Sequence, residues 1–522
     1  MKSFLERHAP RILGVLCGFD RIRFRGTFRQ LATIAGMTTL LNFSKVLFKD
    51  FGTFAEQATQ RFRAGVEGVA AQAGRPIRYL ASPAIDKERL VDQIVLEQGV
   101  GPGGVLAILS AVEVCQSFDI YRNREQKILE LRPVRRKCLH YYVYFQDATF
   151  GRVQVRLQTW FPWNIHLVIN GREWLAQQLD AHGIRYDRRD NCFPWIEDFP
   201  RAQQLMDQQL RTDWVQSLTQ LLDRANPTWR ELLAPWELNP YWSAEQSEWA
   251  TDIAFRSCRD LGQLYPQLIH HAIRTFDSRD VMRFLGKSFT RQPYINGHFK
   301  GEVVSDVAVR PEGIRVKHRL KANSIKMYDK QGSVLRVETT INDAHDLKCY
   351  RAAEGDPNGP RSFRPLRKGV ADLARRAQLC DASNRRYLDA LAAAETASPL
   401  KELTAPLCRP VQCDGRRHRA LNPFHDQDAR LLATVARGEF LIKGFRNADI
   451  RVALLGEDPQ DPAERRRRTS RISRLLGLLR AHHLIKKIPH THRYLLTAQG
   501  RRTIPAILAA REASVEKLVA AA

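Results

Sequence analysis

Residues 465–497 read "RRRRTSRISRLLGLLRAHHLIKKIPHTHRYLLT", an arginine-loaded helical pattern running straight into a short basic hairpin pattern. Ile472, Leu475, Leu476 and Leu479 fall at i, i+3, i+4 and i+7, one apolar stripe that a helix has to bury. Arg467, Ser470, Arg471 and Arg474 repeat that spacing about 140° around the helix, at about 100° per residue, and so face solvent or a ligand. Upstream, Asp461 is placed as N-cap, Pro462 at the first helical position, and Glu464 where a capping-box carboxylate returns to the cap amide. Downstream, "LIKKI" and "RYLL" read as strands joined by "PHTH", with Thr497 capping a last helix. Ahead of all this, "DQDARLLATVARG" reads as a helix capped by Asp426 and stopped at Gly438. "EFLIKGF" then reads as a short extended piece and "NADIRVALLG" as a helix ending at Gly456.

Helix, short strand, helix, basic helix, two-strand wing, helix resembles a winged helix-turn-helix domain, including those of MarR-like regulators, over residues 426–522. The resemblance implies duplex DNA as partner. Arg467, Ser470, Arg471 and Arg474 would take the groove-facing positions, with Lys486, Lys487, His490, His492 and Arg493 on or beside the wing. The chemistry suits that role, since arginines on a helix of major-groove dimensions pair with guanine edges or phosphates, and a wing reaches neighbouring backbone.

The composition of the whole chain points the same way. Among 522 residues, 82 Lys and Arg outnumber 56 Asp and Glu, a formal net charge of +26. Such a field draws polyanions, and nucleic acid fits best because each neutralised phosphate releases counterions. Neither an amphipathic basic membrane helix nor an apolar run of about 18 residues is found, so a membrane partner is not expected and a cytoplasmic location is. Nine cysteines scattered along the chain fit a reduced compartment better than a disulfide scaffold. Cys408, Cys413, His418 and His425 are zinc-type ligands, but their spacing misses the usual paired-cysteine gap, and residues 396–425 read as a Pro/Arg-rich linker, with no metal set assigned.

The fold class expected is multidomain α+β: a helical and antiparallel-sheet body followed by the winged helix-turn-helix domain. Residues 1–130 read as a mostly helical domain carrying one basic strand, and residues 131–395 as an α+β body with two antiparallel sheets. The first sheet comprises "CLHYYVYFQD", "GRVQVRLQTW" and "NIHLVIN", feeding the helix "REWLAQQLDAHG". The second comprises four strands in residues 301–343, and residues 200–290 between the sheets read as helical.

Two strands in the body line up cations. Arg21, Arg23 and Arg25 alternate with Ile22 and Phe24, and Arg315, Lys317 and Arg319 repeat the device, which suggests a second nucleic-acid surface for duplex, single-stranded DNA or RNA. In "SIKMYDKQGSVLRVETTI", Lys326 and Tyr328 share a polar face with Arg336 and Glu338. This "YDK…LRVE" stretch, residues 324–341, resembles a segment of phage and plasmid replication-initiation proteins, which nick DNA through a tyrosine with metal help. The resemblance implies Tyr328 as nucleophile and Glu338 as metal ligand or base, with Mg²⁺ as cofactor if the site is catalytic. Those enzymes carry paired histidines on one strand, whereas His140 and His166 stand singly on different strands. Asp20, Asp252, Asp306 and Glu338 are further carboxylates from which a two-metal nuclease site is conceivable. Three readings remain open: a multidomain nucleic-acid-binding protein acting in replication or mobility of a mobile element, a transcriptional regulator, and a tyrosine-dependent DNA-nicking enzyme.

Overall fold

The computed structural model describes residues 1–286, 303–353, 355–356, 358–392, 400–413, 415–437, 440, 444–489 and 491–513. The chain forms two compact units, Met1–Tyr265 with Met282–Ala390, and Pro266–Val281 with Leu391–Ala522. Both mix helices and strands.

The first unit is built on one sheet. Its strands are β1 (Ile12–Thr27), β2 (Ile77–Leu80), β3 (Val105–Asn123), β4 (Ile128–Asp147), β5 (Gly151–Gln158) and β6 (Ile165–Asn170). They continue, past a separate hairpin of β7 (Tyr186–Arg189) and β8 (Cys192–Ile196), with β9 (Tyr241–Phe255), β10 (Val303–Arg310), β11 (Gly313–Leu320), β12 (Asn323–Lys330) and β13 (Val334–Ile341). The order across the sheet is β10-β11-β12-β13-β9-β1-β6-β5-β4-β3-β2. All pairs are antiparallel except β2 with β3.

This topology is a repeat. β1 is followed by the meander β3 to β6, whose last strand returns beside β1. β9 is followed by the meander β10 to β13, whose last strand returns beside β9. The two halves join along the long β1–β9 pairing. Two separate sheets were expected; β9 fuses them, and it lies in a segment whose sequence reads as helical. "YWSAEQSEWATDIAF" is rich in Ala and Glu, which favour helix, but Trp249, Thr251 and Ile253 alternate towards a core that rewards the strand. β3 was likewise missed in residues 1–130, because its apolar run "VLAILSAV" has no clear period.

One face of the sheet is apolar and helix-covered. Leu16, Phe19, Ile22 and Phe24 of β1 join Trp214, Leu218 and Leu222 of the helix Trp214–Ala225 in one core. In the second half the helix Leu373–Leu391 is pinned by Asn384, whose amide donates to Trp249 O at 3.1 Å and Val337 O at 3.0 Å and accepts from Thr339 Oγ1 at 2.7 Å. Helix Gly171–Ala181 starts where β6 ends, so close to β1 that a Cβ on Gly171 would lie 1.8 Å from the Phe19 carbonyl oxygen.

In the second unit, helices Asp426–Val435, Asn447–Leu455 and Pro462–Ala481 precede strands Ile485–Lys487 and Arg493–Leu496 and the helix Ala498–Glu512. Phe445–Arg446 completes a three-stranded sheet in which Arg493–Leu496 is central. Ile472, Leu476 and Leu479 are buried as the stripe requires, joined by Leu478, while Leu475 is half-buried. Asp461 caps its helix, accepting from Ala463 N and Glu464 N, and Thr497 accepts from Gly500 N. Two caps differ from expectation. His425, not Asp426, caps the first helix, and Glu464 pairs with Arg468 at 3.2 Å. Residues 400–425, expected as linker, form part of this unit, because Leu407 and Leu421 sit in the same core as Leu432 and Ile472. Gly438 and most of "EFLIKGF" fall outside the described residues.

The Gly171 contact gives a direct test. Gly171→Ala should force β1 and the helix apart and cost about 1–3 kcal/mol of unfolding free energy, read by urea denaturation.

Candidate functional site

The other face of the sheet carries a small apolar cluster under helix Lys87–Gln98, including Leu106, Leu109 and Tyr142, and is polar around β1, β9, β12 and β13, where register places its groups. Lys326 of β12 faces Glu338 of β13, and Tyr328 faces Arg336. Arg336 in turn faces Asp252 of β9, and Glu248 of β9 faces Arg21 of β1. The β1–β9 pairing slips between Phe19 and Arg21, so Asp20 is an extra, bulged residue. Such a bulge re-aims a side chain. Asp20 and Arg21 both line the polar cleft, whereas Phe19 remains in the core.

Asp20, Glu248 and Glu338 thereby converge from three strands, each offering a carboxylate oxygen within 4.8 Å of the others. Among the described residues this is the one such group of three ligand-type side chains. A cleft of about 540 Å³ opens over it, lined also by Arg21, Lys326, Tyr328 and Lys330. The turn of the β7–β8 hairpin walls one side through Asp190 and Asn191. Asn191 Nδ2 donates to Asp20 at 2.6 Å.

A buried ion network lies beneath. Arg336 Nε and Nη2 donate to Asp252 at 2.6 and 2.8 Å, and Arg172 Nη2 donates to the same carboxylate at 2.9 Å. Arg336 Nη1 also stands 3.1 Å from Asp20. Burial alone would raise the Asp252 carboxyl, but Arg336 and Arg172 overcome it and hold it below the usual value. Asp252 is therefore structural, and Asp306 is elsewhere, paired with Arg315 at 2.7 Å. Of the four carboxylates considered from sequence, Asp20 and Glu338 belong to the trio. Glu248 was missed along with its strand, although the even spacing of Glu248, Ala250 and Asp252 was there to be read.

Charges in the trio pull apart. Glu248 is raised by burial and then by its neighbour Glu338. Burial also pushes Glu338 up, but Lys326, 2.6 Å away, and then Arg336 hold it low. Burial, and then Glu338, push the Tyr328 phenol up to about 12. All three donors are carboxylate oxygens, the donor type that hard cations take.

The two basic strands flank this cleft on the same face. Arg21 and Arg23 pair with Glu248 and Gln246 of β9, while Arg315 and Lys317 pair with Tyr328 and Lys326. Arg319 and Arg23 are exposed, whereas Arg25 is tied to Asn164 at 2.9 Å. Burial, then Lys326 and Arg315, depress the Lys317 ammonium, a crowding of cations that an anion would relieve. His140 is buried and pushed down to about 3, first by burial, and His166 pairs with Glu245 at 3.3 Å. Neither joins the carboxylates. Cys408, Cys413, His418 and His425 do not bring three ligand atoms together among the described residues.

In the second unit Arg467, Ser470, Arg471 and Arg474 are exposed along one helix, and none of the three arginines has a carboxylate partner among the described residues. Lys486, Lys487 and His492 are also exposed. Arg493 is half-buried and donates to Gly444 O at 3.4 Å, and His490 lies outside the described residues.

No protein-family model, curated protein or solved structure matches the chain.

The raised Glu248 carboxyl sets a signed expectation. An acid whose value is higher folded than unfolded loses stability as pH climbs through the ordinary carboxylate range. Glu248→Gln should therefore raise the metal-free melting temperature at pH 7 by about 1 °C, equivalent to ~1 kcal/mol in a unit of this size, and abolish Mn²⁺ binding in calorimetry.

Proposed function

We propose that the first unit is a metal-dependent DNA-nicking or strand-transfer enzyme using Tyr328, and that the second unit is a winged helix that binds duplex DNA. One observation carries the catalytic reading: Tyr328 shares a single cleft with three converging carboxylates and the cations Arg21 and Lys326. Converging carboxylates with perturbed carboxyls beside a tyrosine in a cleft favour catalysis over the plain DNA reading of a transcriptional regulator.

In this reading Arg21 and Lys326 hold a phosphodiester in the cleft. Tyr328 Oη attacks phosphorus, forming a phosphotyrosine bond. One sugar–oxygen bond to phosphorus breaks, the departing oxygen takes a proton from water, and the phenolic proton passes to solvent. Reversal with a different strand end joins DNA, and attack by water releases it. Asp20, Glu248 and Glu338 would hold the cation, which supplies positive charge against the developing negative charge on phosphorus. Lys326, already bonded to Glu338 at 2.6 Å, is positioned to neutralise the phosphorane.

The element order of residues 426–513, the three-stranded sheet and the exposed arginine stripe support the winged-helix reading. Its Arg467, Ser470, Arg471 and Arg474 would read the major groove while Lys486, Lys487 and His492 reach phosphates. A site-finding module joined to a nicking body suits replication or mobility of a mobile element.

Two experiments separate the halves. With Mg²⁺ the full chain should nick single-stranded or hairpin DNA, and Tyr328→Phe or Asp20→Asn should lower the rate at least about a hundredfold. Cleavage by Tyr328→Phe at the parent rate contradicts the role of the tyrosine. Arg471→Ala with Arg474→Ala should weaken duplex binding by about 2–4 kcal/mol in electrophoretic mobility shift and leave cleavage of short single strands unchanged.

A further inference from the structure

The aromatic run Trp160, Phe161 and Trp163 is buried and offers nothing to a ligand. A different pair stands open. Strands Lys348–Arg351 and Ser362–Pro365 form a small antiparallel hairpin in which Tyr350 faces Phe363. The two rings are 61 % and 72 % exposed, with centroids 5.4 Å apart. The hairpin's inner side is anchored, because Leu347, Cys349 and Leu366 are buried in the main core. The outward rings are therefore held in place without being covered.

Their surroundings are cationic. Between residues 348 and 368 the sequence has six Lys and Arg, Lys348, Arg351, Arg361, Arg364, Arg367 and Lys368, against Glu354 and Asp356, and Arg367 is paired with Asp372 at 2.9 Å. Lys348, Arg361 and Lys368 are exposed. Single apolar residues on a surface mean little, but two neighbouring aromatic faces framed by cations form the pattern that takes stacked bases and their phosphates.

The chain that follows the hairpin is tied to the strand that carries Glu248. It bonds to β9, where Ala244 N donates to Lys368 O at 2.8 Å and Ser243 bridges Gly369. Ser243 lies five residues from Glu248 on the same strand, about 17 Å at ~3.4 Å per residue. Arg21, Arg23 and Arg25 run alongside that interval, opposite Glu248, Gln246 and Ser243.

We propose that Tyr350 and Phe363 form a stacking platform for single-stranded nucleic acid, holding the strand that enters or leaves the cleft along the Arg21–Arg23–Arg25 track. The placement of the strand rests on the catalytic reading above; the platform's affinity for bases does not.

The test uses Tyr328→Phe protein throughout, in EDTA, so that no cleavage intervenes, with fluorescein-labelled oligothymidylate as probe and anisotropy as readout. Added Tyr350→Ala or Phe363→Ala should each weaken binding about tenfold without altering the slope of log affinity against log salt, since a stacking contact and not a phosphate contact is lost. Tyr350→Phe and Phe363→Tyr, which keep a ring, should retain affinity. Unchanged affinity in the alanine variants overturns the platform, as does equal loss in the ring-conserving variants. A shift in sedimentation with undiminished oligonucleotide binding overturns it in favour of a protein contact. Ring-dependent binding by a chain whose parent never cleaves DNA supports the platform and sinks the nicking reading alone.

Discussion

The carboxylate of Asp252, clamped between Arg336 and Arg172, is the constraint on which the rest of the first unit depends. Asp252 belongs to β9, Arg336 to β13, and Arg172 to the helix that leaves β6. Arg336 also touches Asp20 on β1 and donates to the Asn191 carbonyl on the hairpin turn. A single network therefore ties five segments together beneath the cleft. Two buried guanidiniums and one carboxylate are costly to desolvate, and removing the carboxylate would leave Arg172 and Arg336 with Asp20, at 3.9 and 3.1 Å, as their shared counter-charge, a loss of about 3–5 kcal/mol. An apolar cluster would hold the strands more cheaply, but it would not fix the direction of Asp20. The network makes sense as the floor of a site that must be rigid.

Above that floor the energetics run the other way. Asp20, Glu248 and Glu338 lie close enough to repel one another, and the Glu248 carboxyl is raised first by burial and then by Glu338, with Lys326 opposing. A fold that keeps such a cluster gives up stability that a neutral residue would restore, the trade expected where function and not folding chose the side chains. The flanking cations are crowded too, with Lys317 depressed first by burial and then by its neighbours Lys326 and Arg315. Negative centre and positive rims together suit a phosphodiester held beside a cation.

Much of this was legible in the sequence. Period-two alternation located β4, β5, β6 and the four strands of the second meander, and it put Lys326, Tyr328, Arg336 and Glu338 on one face. The caps Asp461 and Thr497 and the leucine stripe located the helices of the second unit. What stayed hidden depended on contacts distant in sequence. β9 has helix-favouring Ala and Glu and becomes a strand only because β1 and β13 lie on either side of it. Without β9 the two sheets look separate, the repeat is invisible, and Glu248 has no reason to join Asp20 and Glu338. The bulge at Asp20 is similarly unreadable, since strict alternation would assign Asp20 to the core face. The exposed Tyr350–Phe363 pair escaped because adjacency across a hairpin, unlike adjacency along a strand, needs the register.

The account stands or falls on Tyr328 bonding to DNA. The full chain should be incubated with Mg²⁺ and single-stranded DNA, quenched in denaturant, digested with protease, and its peptides analysed by mass spectrometry. A nucleotide-bearing peptide with the adduct on Tyr328 is the predicted result. Cleaved DNA with no protein-linked end, or an adduct on another residue, would contradict it.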